Sequence, residues 1–218
     1  MKELLFFLII ILLLLSMSNG LDFSKVLIIY FTKTNNTKTM ANYIKNVTGI
    51  TDSYKIVPSI PYPEKYEETK AIANKEKEED SRPEIVNPLT DISKYDTIFL
   101  GYPLWHNNIP NIVITQIEKL NWNGKTIYPF NTHGSSGIGE SVEDIKKYAI
   151  GADVKNGFPI SEAEIKSDDV AILDVKDWVY KTFENEEEEE EEDNDKNNNS
   201  LKDIKLNYFI YLIFIILL

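Results

Sequence analysis

Short apolar runs alternate with segments of helical periodicity over most of the chain. The predicted strands are residues 25–31, 54–57, 97–100, 125–130 and 154–158. The predicted helices are residues 36–47, 63–79, 109–120, 141–148 and 168–183. The first apolar run has no polar face, which is typical of a strand buried inside a parallel sheet. Five strand–helix repeats predict an α/β fold, a parallel sheet with helices on both faces.

Two of the predicted helices carry more detailed expectations. Ser141 is followed three residues later by Asp144, a spacing that resembles a capping box at the start of a helix. The periodicity of the last helix predicts that Val170, Leu173 and Trp178 are buried, with Val175 as a further candidate.

The carboxyl ends of the strands are the predicted ligand-binding edge. Ligands of such sheets bind beyond those ends, where the strand order reverses. Crossovers between parallel strands are almost always right-handed, which limits the topologies to consider. The loops after the first, third and fourth strands are therefore expected to meet at one edge.

The loop after the first strand is rich in hydroxyl and amide side chains. It precedes a predicted helix, where backbone N–H groups and the helix dipole favour an anion. This chemistry predicts a site for a dianionic phosphate, and a plain polar loop with a helix cap is the alternative. Lys33 either adds positive charge or points to solvent. The candidate residues are Thr32, Lys33, Thr34, Asn35, Asn36 and Thr37.

The loop after the third strand brings Trp105 to the same edge, beside Pro103 and Leu104. An exposed aromatic cluster is costly unless it packs against something. A flat ring system such as a flavin is a suitable partner, because offset stacking on an indole is favourable. The alternative is that Trp105 packs the loop onto the core of the domain.

The loop after the fourth strand is rich in glycine and serine. Glycine lets the backbone approach a ligand closely and point N–H groups at it, for example at the carbonyl and imide edge of a ring. A flexible linker is the alternative, and His133 is interpreted as a loop residue rather than a catalyst. The candidate residues are Thr132, His133, Gly134, Ser135, Ser136 and Gly137.

In this order, the three loops resemble those of the flavodoxin family. Residues 32–37 resemble its Ser/Thr-x-Thr-Gly-Asn-Thr phosphate loop, residues 101–105 its Gly-Tyr-Pro-Ile-Trp loop, and residues 132–139 its Ser-Gly-Gly-Ser-Gly-x-Gly loop. The resemblance covers essentially residues 24–183. It implies a three-layer α-β-α sandwich with a five-stranded parallel sheet in the order 2-1-3-4-5. It also implies flavin mononucleotide (FMN) as a non-covalent cofactor.

The resemblance further implies a role for each loop. The residues implied to hold the FMN phosphate are Thr32, Thr34, Asn36 and Thr37. Those implied to flank the flavin ring are Pro103, Leu104 and Trp105, and those implied to close its other side are Thr132, Gly134, Ser135, Ser136 and Gly137. One position departs from the pattern, because Asn35 stands where the family has glycine. If that position needs a positive φ, asparagine is the side chain that tolerates it best.

A bound flavin would carry the electron chemistry, with the protein supplying shape and electrostatics. One hypothesis is an FMN-dependent oxidoreductase that reduces a quinone or similar small acceptor with NAD(P)H as donor. A second is a one-electron carrier with a redox-protein partner, and a third is a surface binding module that has lost its cofactor. No acid–base or nucleophile set is recognisable, so no catalytic residue is named.

Composition narrows the chemistry further. The absence of cysteine excludes disulfides, thiol redox chemistry and iron–sulfur sites, and two histidines argue against a histidine-based metal site. Residues 184–218 hold eleven acidic and three basic residues, so most of the net charge of −12 lies there and the central domain carries about −4. No basic patch indicates nucleic acid binding. A negative domain without arginine beside the ring loops predicts a low second reduction potential.

The two ends of the chain carry patterns that predict an unusual cellular location for this domain. Residues 1–20 have the charge, apolar run and small residues of a signal peptide, with an uncleaved signal anchor as the alternative. Residues 22–183 are the flavodoxin-like domain, and residues 184–205 are a predicted disordered linker, acidic and Asn-rich. Residues 206–218 form a hydrophobic tail that resembles a GPI-attachment signal, with a short membrane anchor as the alternative.

Either interpretation of the tail predicts the secretory pathway, with the domain at the cell surface or on the lumenal side of a membrane. Sequons for N-glycosylation begin at Asn35, Asn46 and Asn198. A glycan on Asn35 would crowd the predicted phosphate loop, whereas chance occurrence is the alternative in an Asn-rich chain.

Overall fold

The computed structural model describes residues 23–167 and 170–183 of the 218-residue chain. The predicted signal peptide (1–20), acidic linker (184–205) and C-terminal tail (206–218) lie outside the described residues, so these assignments stay predictions. Within the described ranges, no helix has the length and apolar character needed to cross a membrane.

Phe23–Trp178 form one compact unit, which contains the sheet and the helices that cover it. The described residues 179–183 lie outside this unit and are helical.

All described strands of the sheet pair in parallel. In chain order they are β1 (Val26–Tyr30), β2 (Ser53–Lys55), β3 (Thr97–Pro103), β4 (Thr126–His133), β5 (Asp153–Val154) and β6 (Phe158–Ser161). Their order in space is β2-β1-β3-β4-β5, and β6 also pairs with β4. The predicted order 2-1-3-4-5 is therefore confirmed, and the strand order reverses between β1 and β3.

Helices connect successive strands. They are α1 (Asn36–Thr48), α2 (Tyr66–Glu78), α3 (Asn111–Ile117), α4 (Ser141–Tyr148) and α5 (Glu162–Ile165). Residues 170–183 are also helical and are called the last helix. It was predicted to begin at Asp168, which lies outside the described residues.

Both faces of the sheet are buried, which explains why the central strands are apolar at nearly every position. Leu27 and Ile29 of β1 belong to a core cluster that also contains Ile112 of α3 and Ile145 of α4. Successive strand side chains alternate between faces, and on the other face Phe99 packs edge-on against Trp178, with ring centroids 5.4 Å apart. The three layers match the predicted α-β-α sandwich.

The fifth strand differs from the prediction of one run over residues 154–158. β5 pairs with the first two residues of β4, and β6 pairs with its last four. The break falls opposite Pro129, which has no N–H to donate to a neighbouring strand. Gly157 lies in the break, and a Cβ there would come within 2.5 Å of the Ile138 side chain. The strand is thus interrupted where β4 cannot donate a hydrogen bond and the chains approach closely.

Two helices are shorter than their sequence periodicity predicts. α2 begins at Tyr66 rather than near Pro63, because Lys65 is extended with ψ 133°. The hydroxyl of Thr69 donates to the carbonyl of Pro63 at 2.7 Å and ties the extended approach to the helix. In α3, Pro110 is the N-cap residue and the helix ends at Ile117, three residues before the predicted end.

The predicted capping box at Ser141 is wrong. Glu140 precedes α4 as its N-cap residue and makes no side-chain cap bond. The hydroxyl of Ser141 instead accepts from Tyr102 at 2.9 Å and donates to the carbonyl of Ile138. A tertiary contact has therefore taken the hydroxyl that the sequence pattern assigned to the cap.

The buried face of the last helix is also only partly predicted. Val175 is buried and Trp178 is half-buried, but Val170 and Leu173 are 52% and 65% exposed. Ala171, which is fully buried, precedes Val175 by four residues and Trp178 by seven, so these three lie on one helix face. The sequence interpretation gave weight to large apolar residues and missed the small one.

Candidate functional site

A cleft of about 510 Å³ opens where the loops after β1, β3 and β4 meet. Of the fifteen residues predicted for the site, these line it: Lys33, Thr34, Asn36, Pro103, Leu104, Trp105, Thr132, His133, Gly134, Ser135 and Ser136. The remaining four, Thr32, Asn35, Thr37 and Gly137, belong to the same loops but do not line the cleft. The topology thus brings the three predicted loops together at one edge of the sheet.

The first loop ends in an uncapped helix N-terminus. Asn35 is the N-cap residue of α1 and has a left-handed backbone, with φ 70° and ψ −5°. Its side chain makes no cap hydrogen bond. The first N–H groups of a helix have no partners inside the helix, so those of α1 can bind an anion without displacing a side-chain cap. The positive φ also explains how Asn35 can replace the glycine of the related motif.

Two threonines of the first loop are buried rather than exposed to the cleft. Thr37 is 1% exposed, and its hydroxyl lies 2.9 Å from the hydroxyl of Thr132 in the third loop. Thr32 is 9% exposed, and its Oγ1 has no hydrogen-bond partner within the described ranges. The first loop is therefore tied to the third and also presents one unsatisfied hydroxyl.

The second loop is a tight hairpin. Trp105 and Asn108 exchange backbone hydrogen bonds of 3.1 Å and 2.9 Å. His106 and Asn107 between them have φ values of 50° and 68°, which is the pattern of a type I′ turn. The amide of Leu104 donates to the carbonyl of Thr132 at 2.9 Å. This hairpin holds Trp105 at the mouth of the cleft.

Trp105 packs edge-on against two other aromatic rings. Its centroid lies 5.6 Å from that of Phe31 and 5.0 Å from that of Tyr62, with interplanar angles of 87° in both pairs. It is half-buried and still lines the cleft. The contact with the core that was the alternative for Trp105 is present, and one part of the indole remains at the cleft.

The carboxyl group of Glu76, which is half-buried, accepts a hydrogen bond from one ring of this aromatic group. The hydroxyl of Tyr62 donates to Oε2 of Glu76 at 3.0 Å. Burial raises the pKa of Glu76, and the bond from Tyr62 opposes that rise. Burial, aided by the charge of Glu76, also raises the pKa of Tyr62. Tyr62 therefore stays protonated at neutral pH and acts as a hydrogen-bond donor.

The third loop is fixed by bonds to its own strand and to the hairpin. The amide group of Asn131 donates to the carbonyls of Gly137 and Ile138 at 3.1 Å and 3.3 Å. Gly139 has φ 61°, and a Cβ at this position would lie 2.5 Å from the carbonyl oxygen of Asn107. Residues 131–139 are thus an anchored loop, which disfavours the flexible-linker alternative.

Several residues that line the cleft were not predicted. They are Glu64, Tyr66, Thr69, Lys70, Ala73, His106, Asn107 and Glu162. The α2 residues in this list have no local sequence pattern that marks them as cleft residues. The extended segment before α2, which ends at Lys65, determines which face of the helix meets the cleft. Glu162 could have been found, since Ser161 and Glu164 form a complete capping box at the start of α5.

Both histidines lie at the cleft, and neither is protonated as easily as a free imidazole. Burial lowers the pKa of His133, and the charge of Glu164 opposes this effect. Burial also lowers the pKa of His106, with further lowering by Lys77 and Lys70. The cleft is therefore lined by neutral imidazoles near neutral pH.

Unsatisfied polar atoms indicate that the cleft can hold a polar ligand. In the described part of the chain, three buried side-chain atoms lack hydrogen-bond partners: Thr32 Oγ1, Asn131 Oδ1 and His133 Nδ1. Leaving such an atom unpaired costs about 1–3 kcal/mol. Thr32 follows β1, Asn131 and His133 lie at the end of β4, and of these residues His133 lines the cleft. These residues fit FMN, which has both a phosphate and a polar ring edge. No group of three or more acidic or histidine side chains in residues 23–167 and 170–183 is arranged to hold a metal ion.

Comparison with solved structures gives the same fold. A candidate flavoprotein from Bacteroides uniformis has 27% identity and a TM-score of 0.59, covering 72% of this chain and 97% of its own. One from Bacteroides eggerthii has 32% identity and a TM-score of 0.57, covering 67% and 98%. A Lactobacillus acidophilus flavoprotein, solved in complex with FMN, shares the fold at 24% identity and a TM-score of 0.52, covering 66% and 97%.

Sequence comparison assigns the family. None of the curated proteins compared matches the chain. The sequence profile described as flavodoxin matches residues 25–182, which is most of the chain and all but the ends of the described part. The chain belongs to the flavodoxin family.

Proposed function

We propose that the chain binds FMN in the cleft and takes part in electron transfer through it. The observation that carries the proposal is the uncapped start of α1, whose first residue, Asn36, lines the cleft beside Lys33 and Thr34. Family membership and the FMN complex of the Lactobacillus flavoprotein support the same cofactor. When bound, the flavin supplies the electron chemistry, and the protein supplies position and electrostatics.

Each loop has its own task in this proposal. The start of α1, with Thr34 and Asn36 lining the cleft, holds the phosphate through N–H and side-chain donors. The hairpin presents Trp105 to the flavin ring, and the rings of Phe31 and Tyr62 keep the indole from turning away. The third loop provides polar groups for the opposite edge of the ring.

We propose reduction of a small acceptor, such as a quinone, as the specific reaction. The start of α2 supports this choice, because Tyr66, Thr69 and Lys70 add a wall to the cleft beyond the three cofactor loops. Such a wall can bind a second small molecule. Steady oxidation of NAD(P)H by the purified, FMN-loaded chain in the presence of a quinone is the expected result. Reduction only by a redox protein would favour the one-electron carrier.

Cofactor binding is tested by titrating the purified chain with FMN and with riboflavin, followed by flavin fluorescence. Asn36→Asp adds a negative charge at the proposed phosphate site with little change in shape. We expect it to weaken FMN binding by about tenfold or more and to leave riboflavin binding nearly unchanged. The matched control is Asn46→Asp, an exposed position near the other end of α1, and it should alter neither affinity. Equal effects of Asn36→Asp on both ligands would contradict the phosphate assignment.

Electron transfer is tested by a redox titration of the FMN complex. The only arginine, Arg82, is bound to Glu118 and Asp80 and does not line the cleft. The negative domain charge then disfavours the negative charge that flavin gains on full reduction. We expect a second reduction potential well below that of free FMN. Two steps close to those of free FMN would contradict this expectation.

We further propose that the chain enters the secretory pathway and is held at the cell surface through its C-terminal tail. The apolar runs at residues 4–15 and 206–218 support this proposal. Release of the protein from intact cells by a phosphatidylinositol-specific phospholipase would support a GPI anchor. Asn35 is exposed, so peptide mass analysis can decide whether a glycan occupies it. Full occupancy would favour a binding module without cofactor.

A further inference from the structure

His133 is placed where a ligand in the cleft and a fixed carboxylate act on it from two sides. It is the last residue of β4 and lines the cleft beside Gly134 and Ser135. Its side chain is only partly exposed, and Nδ1 is buried without a hydrogen-bond partner among the described residues. The imidazole therefore lines the cleft, while its Nδ1 lies beneath the surface without a partner in the described part of the chain.

A carboxylate is held close to this imidazole by the start of α5. His133 is the register partner of Ser161 across the β4–β6 pair. The amide of Ser161 donates to Oε2 of Glu164 at 2.7 Å, and the amide of Glu164 donates to the hydroxyl of Ser161 at 3.1 Å. These bonds fix the carboxylate of Glu164, whose charge acts on His133.

The other charges around the cleft are balanced or belong to other elements. Glu162 of α5 also lines the cleft, but its carboxylate pairs with Lys166 at 2.9 Å. Lys33 of the first loop, Glu64 before α2 and Lys70 of α2 also line the cleft. Glu164 is the charged group whose field acts on His133 within the described ranges.

We propose that His133 is the proton-accepting residue that couples flavin reduction to proton uptake in this cleft. The inference rests on the proposed binding of FMN. Reduction by the donor would add negative charge to a bound flavin, and the imidazole of His133 would then take up one proton from solvent. Reoxidation by the acceptor would remove that charge, and His133 would return the proton to solvent. No bond other than the N–H bond forms or breaks on the protein.

The charges explain why the proton moves only on reduction. Burial keeps the pKa of His133 below its ordinary value, and Glu164 opposes burial without overcoming it. A second negative charge in the cleft adds to that of Glu164 and shifts the balance towards imidazolium. By linkage, protonation of His133 makes the reduced state easier to reach at lower pH.

The first test follows the two imidazoles by NMR in the full chain, with histidine labelled with nitrogen-15. His106 is the only other histidine, so His106→Gln assigns the signals. The pKa of His133 is measured without FMN, with oxidised FMN and after reduction with dithionite. We expect it to rise on reduction by about one unit, which is a tenfold change in proton affinity. An equal pKa in the oxidised and reduced complexes would overturn the inference, because Nδ1 would then only bind a neutral group.

The second test compares reduction potentials over pH in three proteins. In the wild type, the potential should become more negative with rising pH between the two pKa values of His133. His133→Gln should lose this dependence in that range. Glu164→Gln keeps a side chain that supports a capping box but removes the charge, so it should lower the pKa of His133 in every state. An unchanged pH dependence in His133→Gln would overturn the inference.

The two levels of the proposal fail in different ways. If the chain binds no FMN in the titration, the proposed function fails and the role of His133 fails with it. If FMN binds but the pKa of His133 is the same in the oxidised and reduced complexes, the proposed function stands and only the proton coupling fails. The NMR measurement on the wild type decides the matter even if His133→Gln does not fold.

Discussion

The hydroxyls of Thr37 and Thr132 lie 2.9 Å apart in the interior, although 95 positions separate them in the chain. Thr37 belongs to the first turn of α1, and Thr132 is the penultimate residue of β4. Their bond sets the spacing between the proposed phosphate loop and the proposed ring loop. Because both side chains are almost fully buried, neither hydroxyl can exchange this partner for bulk water.

Thr132→Val removes one partner of this bond and keeps the side-chain shape. It leaves the Thr37 hydroxyl buried and unpaired, so we expect a loss of about 1–3 kcal/mol in the free energy of unfolding. The double variant with Thr37→Val should lose less than the sum of the single variants. Urea denaturation of the four proteins measures the coupling.

The matched control is Thr115→Val. Thr115 is also buried, but its hydroxyl donates to the carbonyl of Asn111 within α3, away from the cleft. We expect FMN affinity to fall in Thr132→Val and to stay unchanged in Thr115→Val. Simple additivity of the two loop variants would show that the Thr37–Thr132 bond does not join the loops energetically.

The backbone of Asn35 predicts an asymmetric response to substitution. At φ 70°, an alanine pays the left-handed penalty of about 1–2 kcal/mol, whereas glycine does not. We expect Asn35→Ala to lower thermal stability and FMN affinity, and Asn35→Gly to preserve both. Asn46→Ala is the control, because this exposed residue lies inside α1 and alanine favours helix there. A stabilising Asn35→Ala would mean that the first loop does not hold the left-handed conformation.

The meeting of the three loops could be predicted because it depends on local patterns, whereas the strand order 2-1-3-4-5 was implied by the family resemblance. Apolar runs mark strands, and parallel topology then places the loops after β1, β3 and β4 together. The same reasoning failed at Ser141, because the hydroxyl of Tyr102 competes for it across 39 positions in the chain. Such competition is a property of the packed state and leaves no periodic trace in the sequence.

The failure to predict the cleft residues of α2 has a similar cause. Tyr66 lies at the cleft although it is 72% exposed, and the residues three and four positions after it are the polar Thr69 and Lys70. Its position follows from the extended segment before α2, where Ser59 and Val86 form antiparallel backbone bonds with Glu84 and Val57. The capping box of α5, by contrast, was readable from Ser161 and Glu164, but a four-residue helix is too short to show periodicity.

Gly139→Ala tests the contact between the hairpin and the third loop. The new Cβ would lie 2.5 Å from the carbonyl oxygen of Asn107, and that oxygen also accepts a 2.8 Å bond from the amide of Glu140. We expect the hairpin to shift, with lower stability and weaker FMN binding. The changed environment of Trp105 should appear in its fluorescence.

Gly49→Ala separates this contact from the backbone effect of a positive φ. Gly49 has φ 75°, but no atom lies within 4 Å of a Cβ placed there. It should therefore show only the cost of left-handed alanine, about 1–2 kcal/mol, with unchanged FMN affinity. Equal losses in the two variants would mean that the hairpin can yield to the extra methyl group without consequence.

The lowered pKa of His133 predicts how stability without FMN depends on pH. Since the unfolded chain, with a histidine pKa of about 6.5, binds the proton more readily, the contribution of His133 to stability is fully present above that pH. This contribution is lost as the pH falls towards the lower pKa of the folded state.

We expect His133→Gln to flatten the fall in melting temperature in this range. His106→Gln should act in the same direction but less, because His106 is exposed. Glu76 opposes both, since its raised pKa means that the folded state takes up a proton above the unfolded pKa. Calorimetry of the three proteins between about pH 7.5 and 5.5 isolates the His133 contribution, and an identical fall in wild type and His133→Gln would show that burial does not hold this imidazole neutral.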